Sequence, residues 1–163
     1  MSFETFRVEL QCGPATHAQV VGTIRRLPHA RPDPDAIPSR GSAYFTVEDG
    51  LHVFEIEVAD SPVRVSCRFT LCHPPSVDAA FLGLVRGLQA RLGMAARVCD
   101  DVSPDRARYF AAAEFSGFAG VARDAIATRR AEWIAQFGSR QLAAKTSDVY
   151  ETFILPLCAP VAG

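Results

Sequence analysis

The sequence predicts an α/β (α+β) fold: a mixed, mainly antiparallel sheet of about five strands in the order β-α-β-β-β-α-β, followed by C-terminal helices. Residues 43–72 alternate between apolar and polar side chains across two turn signals, which is the pattern of a three-stranded meander with one buried face. Residues 77–92 repeat apolar side chains at helical spacing, with Ser76 as the predicted N-cap and Gly93 at the end. A strand and a helix precede the meander, and a short strand follows the second helix.

The remaining elements follow from periodicity and turn residues. Residues 5–10 alternate and predict a strand, and residues 17–27 carry an apolar stripe that predicts a helix. Residues 28–42 hold four prolines and show no period, which predicts a long loop. Residues 94–99 predict a strand. Helices are expected over 103–138, with a break near Ser116 and Gly117, and near 147–155, before Pro156. Residues 1–163 should form a single domain, with a sheet-forming core over 1–101 and a helical part over 103–156.

The turns of the meander also predict its register. Asp49-Gly50 is a strong signal for a two-residue hairpin turn. It sets Phe45 opposite Phe54, and the second turn sets Val58 opposite Val63. A slip of one residue would mix the two faces, so burial should specify the register. The residues predicted for the apolar face are Ala43, Phe45, Val47, Phe54, Ile56, Val58, Val63, Val65, Cys67, Phe69 and Leu71.

Size and charge exclude several classes of protein. A chain of 163 residues can bury a core without disulfides or a structural metal. A net charge of −1 argues against a dedicated nucleic-acid-binding protein. The N-terminus lacks the features of a signal peptide, and no apolar run is long enough for a membrane helix. We therefore expect a soluble cytoplasmic protein with neither a nucleic-acid nor a membrane partner, whose five cysteines are free thiols.

The element order resembles that of the acetyl-coenzyme A-dependent acyltransferases. In those enzymes a glycine-rich run before a helix holds the pyrophosphate of the cofactor on backbone N–H groups. The equivalent segment here, residues 72–76, contains no glycine, and Pro74 and Pro75 remove two of the donors. The resemblance therefore ends with the order of elements, and no cofactor is expected. A ferredoxin-like fold with one added strand describes the order better, and that fold hosts many unrelated functions.

The crossover from the meander to strand 94–99 predicts one candidate site. It should place the carboxyl ends of two strands at one edge of the sheet, where ligands often bind in open α/β sheets. A thiol, an imidazole and carboxylates could there bind a divalent metal or form a cysteine–histidine nucleophile. No spacing matches a known motif, so ordinary strand-end and loop-capping roles are favoured and no metal is expected. The residues concerned are Cys72, His73, Asp100 and Asp101, with Cys99 beside them.

The polar face of the meander is a second candidate site. Tyr44, Arg64 and Arg68 lie on that face in the predicted register. Tyrosine and arginine are enriched among the residues that dominate protein–protein contacts. The alternatives are a solvated face or one covered by the C-terminal helices.

Three functional hypotheses follow. The chain has no G-x-S-x-G motif to support a serine hydrolase and no glycine-rich nucleotide motif. The first hypothesis is therefore a non-catalytic intracellular binding protein that docks on a protein partner, as a toxin-neutralising (immunity-type) protein or an adaptor. The second is a small enzyme or metal-dependent protein at the strand-end cluster. The third is a ferredoxin-like module that binds a small regulatory ligand. The oligomeric state stays open, a homodimer included.

Overall fold

The described residues form six β-strands: β1 (Thr5–Gln11), β2 (Ala30–Pro32), β3 (Ala43–Glu48), β4 (Val53–Ala59), β5 (Arg64–Thr70) and β6 (Ala95–Val98). In this computed structural model they make one sheet in the order β2-β3-β4-β5-β1-β6, and each neighbouring pair is antiparallel. The structure describes residues 3–11, 13–34, 36, 41–99 and 102–158. The predicted fold class, an α/β domain with a mainly antiparallel sheet and C-terminal helices, is confirmed.

Helices cover one face and one end of the sheet. They are α1 (His17–Arg25), α2 (Val77–Leu92) and α3 (Phe115–Phe137), the last preceded by a 3-10 turn at Ala112–Glu114. The C-terminal helical stretch consists of α4 (Thr146–Val149), a π-helical turn (Tyr150–Ile154) and α5 (Leu155–Cys158). Thr16 and Gln19 form a capping box that begins α1. Gly93 ends α2 with φ of 62°, a conformation that glycine adopts without strain.

The core lies between the apolar face of the sheet and the helices α1 and α2. The Phe81 ring of α2 packs on Phe6, Phe54 and Phe69, with centroid distances of 5.9, 5.8 and 4.8 Å. All four rings are buried. The face that carries these rings is the one that the alternating pattern predicted, so the assignment of strand faces is correct.

The crossover through α2 joins two strands that do not touch each other. Both β5 and β6 pair antiparallel with β1, so they run in the same direction with β1 between them. This is the split β-α-β arrangement of ferredoxin-like folds. Their carboxyl ends therefore lie at the same edge of the sheet. They lie at different depths, because β5 ends with Thr70 opposite Thr5 while β6 ends with Val98 opposite Val8.

The predicted pairing of the meander is wrong by two residues in each hairpin. Phe45 lies opposite Ile56 rather than Phe54, and Val58 lies opposite Val65 rather than Val63. The first turn is centred on Gly50-Leu51, one residue later than predicted, because the Asp49 carboxylate accepts hydrogen bonds inside the turn. A shift of two residues keeps every side chain on its face, since the side-chain period of a strand is two. The faces were therefore predicted correctly despite the wrong partners.

Two further elements differ from the sequence predictions. The strand β2 lies inside the predicted loop, where it pairs with β3 at the edge of the sheet. The helix expected from residue 103 begins only at Phe115. Residues 103–107 form a turn in which the Ser103 carbonyl accepts N–H groups at 2.9 Å. Phe110 then bridges Ala96 of β6, which holds the chain extended along the sheet edge.

Two predicted helix limits in the second half of the chain are also wrong. The break expected near Ser116 and Gly117 does not occur, because α3 begins at Phe115 and both residues lie in its first turn. The C-terminal helical stretch passes Pro156 and ends at Cys158. Since Pro156 lies at the second residue of α5, where the π-helical turn has just ended, it does not stop the helix there.

Replacing Phe54 with alanine should lower the free energy of unfolding by about 3 to 5 kcal/mol, because the substitution leaves a cavity beside Phe81. The matched control is Leu51→Ala in the neighbouring turn. The Leu51 side chain is 68% exposed, so its loss should change stability by no more than about 0.5 kcal/mol. Urea unfolding of the two variants measures both values. Similar losses for the two would contradict the assigned packing.

Candidate functional site

Two of the four predicted strand-end residues lie in the turn that follows β5. Cys72 and His73 are both buried there. Asp100 and Asp101, which we expected to approach them, lie outside the described residues. Cys99 follows β6, and its backbone N–H donates to the Arg7 carbonyl at 3.1 Å. Cys99 therefore lies beside β1, on the side opposite β5.

His73 is fixed by hydrogen bonds at both ring nitrogens. Nε2 accepts the backbone N–H of Val53 at 3.0 Å, so the ring proton is on Nδ1. Nδ1 lies 2.8 Å from both the carbonyl oxygen and the hydroxyl oxygen of Thr70. Burial lowers the pKa of His73 to about 4, which keeps the ring neutral at neutral pH. In this arrangement His73 joins the start of β4 to the end of β5 and has no lone pair left for a metal ion.

Cys72 is a thiol that acts as a hydrogen-bond donor. Its Sγ lies 3.3 Å from the carbonyl oxygen of Leu142 and 3.7 Å from the Thr70 hydroxyl. Burial raises the pKa of the Cys72 thiol and outweighs these hydrogen bonds, which act in the opposite direction. A nucleophilic cysteine needs the thiolate. The environment of Cys72 therefore favours a packing role.

Residues 142–146, which we call the covering segment, cross this edge of the sheet before α4. Hydrogen bonds and an ion pair attach the segment to three different strand regions. Because it covers the end of β5, Thr70 is fully buried although it lies on the polar face. The contacts are Leu142 N–H to the Cys72 carbonyl at 2.8 Å, the Thr70 hydroxyl to the Ala144 carbonyl at 3.2 Å, Lys145 to Asp33 at 2.9 Å, and Thr146 N–H to Glu55 at 3.3 Å.

A second arrangement at the same edge joins Asp49, His52 and Ser76. The His52 ring is buried, with Nδ1 3.0 Å from Oδ2 of Asp49 and Nε2 2.8 Å from Oγ of Ser76. Ser76 is exposed and immediately precedes α2. The sequence analysis took Ser76 for a side-chain N-cap, but its hydroxyl makes no capping bond and contacts His52 instead. We call these three residues the triad.

The turn between β3 and β4 positions the acidic member of the triad. Oδ1 of Asp49 accepts the backbone N–H groups of Leu51 at 2.9 Å and His52 at 2.7 Å, which is the Asx-turn geometry. Gly50 has φ of 88°, so the turn needs a residue without a side chain at that point. The carboxylate is thereby held against the imidazole by the backbone of its own turn.

Electrostatics determine the direction of the two hydrogen bonds in the triad. Burial, the largest single influence, would raise the pKa of the Asp49 carboxyl, but the hydrogen bonds from His52 and Leu51 lower it to about 2. Asp49 is therefore ionised at neutral pH, and its charge keeps the imidazole proton on Nδ1. With the ring proton on Nδ1, Nε2 of His52 carries a lone pair. The Ser76 hydroxyl consequently donates its proton to Nε2.

The polar face of the sheet is a grid of charged side chains whose rows follow from the strand register. One row consists of Tyr44, Glu57, Ser66, Glu9 and Arg97, and the next consists of Thr46, Glu55, Arg68 and Arg7. Two ion pairs lie within this grid: Arg68 with Glu55 at 3.0 Å and Arg97 with Glu9 at 3.1 Å. Each of these ion pairs joins residues that lie directly opposite each other on neighbouring strands.

The end of this face away from the covering segment is open. Two depressions of about 220 and 180 Å³ share Arg7, Glu57 and Ser66 as lining residues. Arg64, Glu9 and Ala59 complete the first depression. We call Arg7, Glu9, Glu57, Arg64 and Ser66 the charged basin.

The three predicted docking residues differ in how accessible their side chains are to a partner. Arg64 is exposed at the rim of the basin. Arg68 is ion-paired with Glu55, and 39% of its side chain is exposed. Tyr44 is half-buried and lines the second depression. The polar face is thus partly covered, at the end where the covering segment crosses it.

No protein-family model matches the chain, and neither a curated protein nor a solved structure matches it. Among the residues that the structure describes, no group of three or more histidine, cysteine, aspartate or glutamate side chains could hold a metal ion. No helix in the described ranges is long and apolar enough to cross a membrane. The described cysteines, Cys67, Cys72, Cys99 and Cys158, are free thiols as expected. Cys12 lies outside the described residues.

The structure brings together two histidines that sequence reasoning treated differently. His73 was named as a candidate site residue from the sequence, and His52 was not. The available signal was the spacing of Asp49 and His52, three residues apart around a glycine, since this spacing places a carboxylate and an imidazole on the same turn. The position of Ser76 beside them depends on the packing of α2 and has no local sequence signal.

The buried state of His73 predicts a pH-dependent stability. The pKa is about 4 in the folded protein and about 6.5 in an unfolded chain. Below pH 6.5 the unfolded state therefore binds a proton that the folded state does not. The free energy of unfolding should fall by up to about 1.4 kcal/mol per pH unit between pH 6.5 and 4.

Urea unfolding of the wild-type protein and of His73→Gln at pH 7 and pH 5 tests this prediction. The variant should be less stable at pH 7, and the difference should narrow at pH 5. The control is His29→Asn, at an exposed position with φ of 64° that asparagine tolerates. It should keep the wild-type pH dependence. An unchanged pH dependence in His73→Gln would show that His73 does not have a lowered pKa.

Proposed function

We propose that the protein acts by binding, and that it docks on a protein partner through the charged basin at the open end of the polar sheet face. The observation that supports this proposal most directly is the exposure and lack of ion pairing of two arginines in the basin. Arg7 and Arg64 are both exposed, and neither forms an ion pair with any of the described residues. A toxin-neutralising or adaptor role requires only a surface of this kind.

Charge indicates which partner surface would fit the basin. Glu9 and Glu55 are held by arginines of the same face, whereas Glu57 has only a 3.4 Å hydrogen bond from Ser42. The basin therefore holds two arginines without an ion-pair partner among the described residues, and one acidic side chain, that of Glu57, without such a partner. The occupant that complements this balance is a protein surface whose centre carries aspartate or glutamate side chains.

The strand register adds a second argument for an acidic partner. Arg7 lies directly opposite Arg68 across β1 and β5. Like charges at directly opposed positions destabilise a sheet, and Glu55 compensates only Arg68. A carboxylate from a partner, placed over Ser66, would relieve the remaining repulsion.

The shape of the basin favours a protein over a small molecule. Small-ligand sites are mostly enclosed and apolar with a few polar groups. The basin has a volume of about 220 Å³, below the usual range for such sites, and four of its five residues are charged. Arginine is also enriched at protein–protein interfaces, where Lys and Glu are depleted. These features support the docking hypothesis over the hypothesis of a small-ligand module.

Charge reversal at Arg64 tests the proposal. The wild-type protein and the variants Arg64→Glu and Arg123→Glu are immobilised, and proteins retained from a lysate of the source cells are compared. Arg123 is exposed on α3 and serves as the matched control. We expect a partner that binds the wild type and the control but not Arg64→Glu, while the melting temperatures of all three stay similar.

Purified partner then gives a quantitative test. Arg7→Ala and Arg64→Ala should each raise the Kd about tenfold or more, which corresponds to about 1.4 kcal/mol. The affinity should also fall as salt concentration rises. The proposal fails if the wild type retains no protein beyond that retained by Arg64→Glu, or if the partner binds both alanine variants with unchanged affinity.

A further inference from the structure

We propose that Ser76 is a nucleophilic serine, activated by His52 and Asp49, which accepts an acyl group from small, activated carboxylic esters. The inference goes beyond docking and concerns another part of the molecule. The charged basin lies at the open end of the polar face, whereas the triad lies where the β3–β4 turn meets the start of α2.

The first support is the order and direction of the hydrogen bonds. A carboxylate contacts Nδ1 of an imidazole at 3.0 Å, and Nε2 of the same ring contacts a serine hydroxyl at 2.8 Å. The ionised Asp49 leaves the lone pair on Nε2, so His52 is placed as a general base and Ser76 as the donor. The same roles define serine triads on unrelated folds, which are recognised by geometry rather than by sequence motif.

The second support is the burial of each member. The His52 ring is 6% exposed and stacks on Phe54 with a centroid distance of 6.1 Å, which fixes its plane. Ser76 is exposed, so an ester can reach its hydroxyl. The base is thus shielded from water while the nucleophile is accessible.

The third support is the position of Ser76 at the amino end of α2. A helix of 16 residues places positive partial charge there, where the oxyanion of an acyl transfer would form. The hydroxyl does not cap the helix. The backbone N–H of Ser76 donates to no acceptor among the described residues, so it can donate to the oxyanion.

These positions support a reaction in two steps, the acylation of Ser76 and its deacylation by water. In the first, Oγ of Ser76 forms a bond to the carbonyl carbon of the ester and its proton passes to Nε2 of His52. The bond between that carbon and the alcohol oxygen then breaks, and the alcohol leaves with the proton from Nε2. In the second, a water molecule attacks the acyl carbon and gives its proton to Nε2. Ser76 leaves with that proton, so ester and water yield carboxylic acid and alcohol.

The surroundings of the hydroxyl suit a small acyl group. Leu51 precedes His52 in the chain and is 68% exposed, and Pro75 precedes Ser76 and is also exposed. These two apolar side chains flank the reacting residues in sequence, and neither carries a charge. These uncharged neighbours favour a small neutral ester, such as an acetyl ester, over an anionic one.

The same hydrogen bonds could also serve only to attach the β3–β4 turn to α2. The reactivity of Ser76 distinguishes this structural role from a catalytic one. The probe is p-nitrophenyl acetate, with p-nitrophenol release and the intact mass followed in time and the acetylated residue located by peptide mapping. The variants are Ser76→Ala, His52→Gln and Asp49→Asn. Asparagine keeps the oxygen that accepts the turn N–H groups and replaces the oxygen that faces Nδ1 of His52 with an uncharged amide nitrogen, which donates rather than accepts. The control is Ser116→Ala, since Ser116 is an exposed serine in the first turn of α3.

We expect one acetyl group on Ser76 in the wild type and in Ser116→Ala, and none at that position in Ser76→Ala. His52→Gln and Asp49→Asn should acetylate at least about 100-fold more slowly, with melting temperatures that show both are folded. Acetylation of Ser76 at the same rate as Ser116 would overturn the proposal, as would an unchanged rate in folded Asp49→Asn. Ser76→Ala removes the hydroxyl together with its hydrogen bond to His52, and it should abolish the acylation-dependent release of p-nitrophenol even if His52→Gln fails to fold.

Discussion

The carboxylate of Asp49 sets the turn on which both the strand register and the chemistry of one sheet edge depend. Its hydrogen bonds to Leu51 and His52 centre the turn on Gly50-Leu51. With the turn one residue earlier, Tyr44 would pair with Glu55 instead of Glu57, and the rows of the polar face would be rearranged. The same carboxylate orients His52 towards Ser76. One ionised group in a short turn therefore determines the geometry of two separate surfaces.

The sequence predicts which face of each strand is buried because alternate residues share a face and the apolar set is the buried one. Every second residue from Phe54 to Val58 is buried, as the alternation indicates. The pairing partners depend on a finer quantity, the number of residues in each turn, and the prediction placed both turns one residue too early. Since a shift of two residues leaves the buried set unchanged, hydrophobic patterning alone cannot distinguish the two registers.

The candidate sites were harder to predict because they depend on contacts between distant segments. Arg64 was correctly placed on the polar face, but the closure of one end of that face depends on the covering segment, about 75 residues later in the chain. His73 and His52 both follow turns in the sequence. Tertiary packing gives one of them two backbone partners and the other a carboxylate and a hydroxyl. The Asp49–His52 contact has a local signal in its three-residue spacing, whereas the contacts with Ser76 and Val53 have none.

The central claim of this account is that the two buried histidines carry their ring proton on Nδ1, His73 to hold two strands together and His52 to serve as a base for Ser76. The most direct measurement is a ¹H–¹⁵N spectrum of the imidazole nitrogens at neutral pH, assigned with single histidine variants. The account predicts a protonated Nδ1 and an unprotonated Nε2 in both rings. A proton on Nε2 of His52 would contradict the assignment of Ser76 as the donor, and one on Nε2 of His73 would contradict its bond from the Val53 N–H.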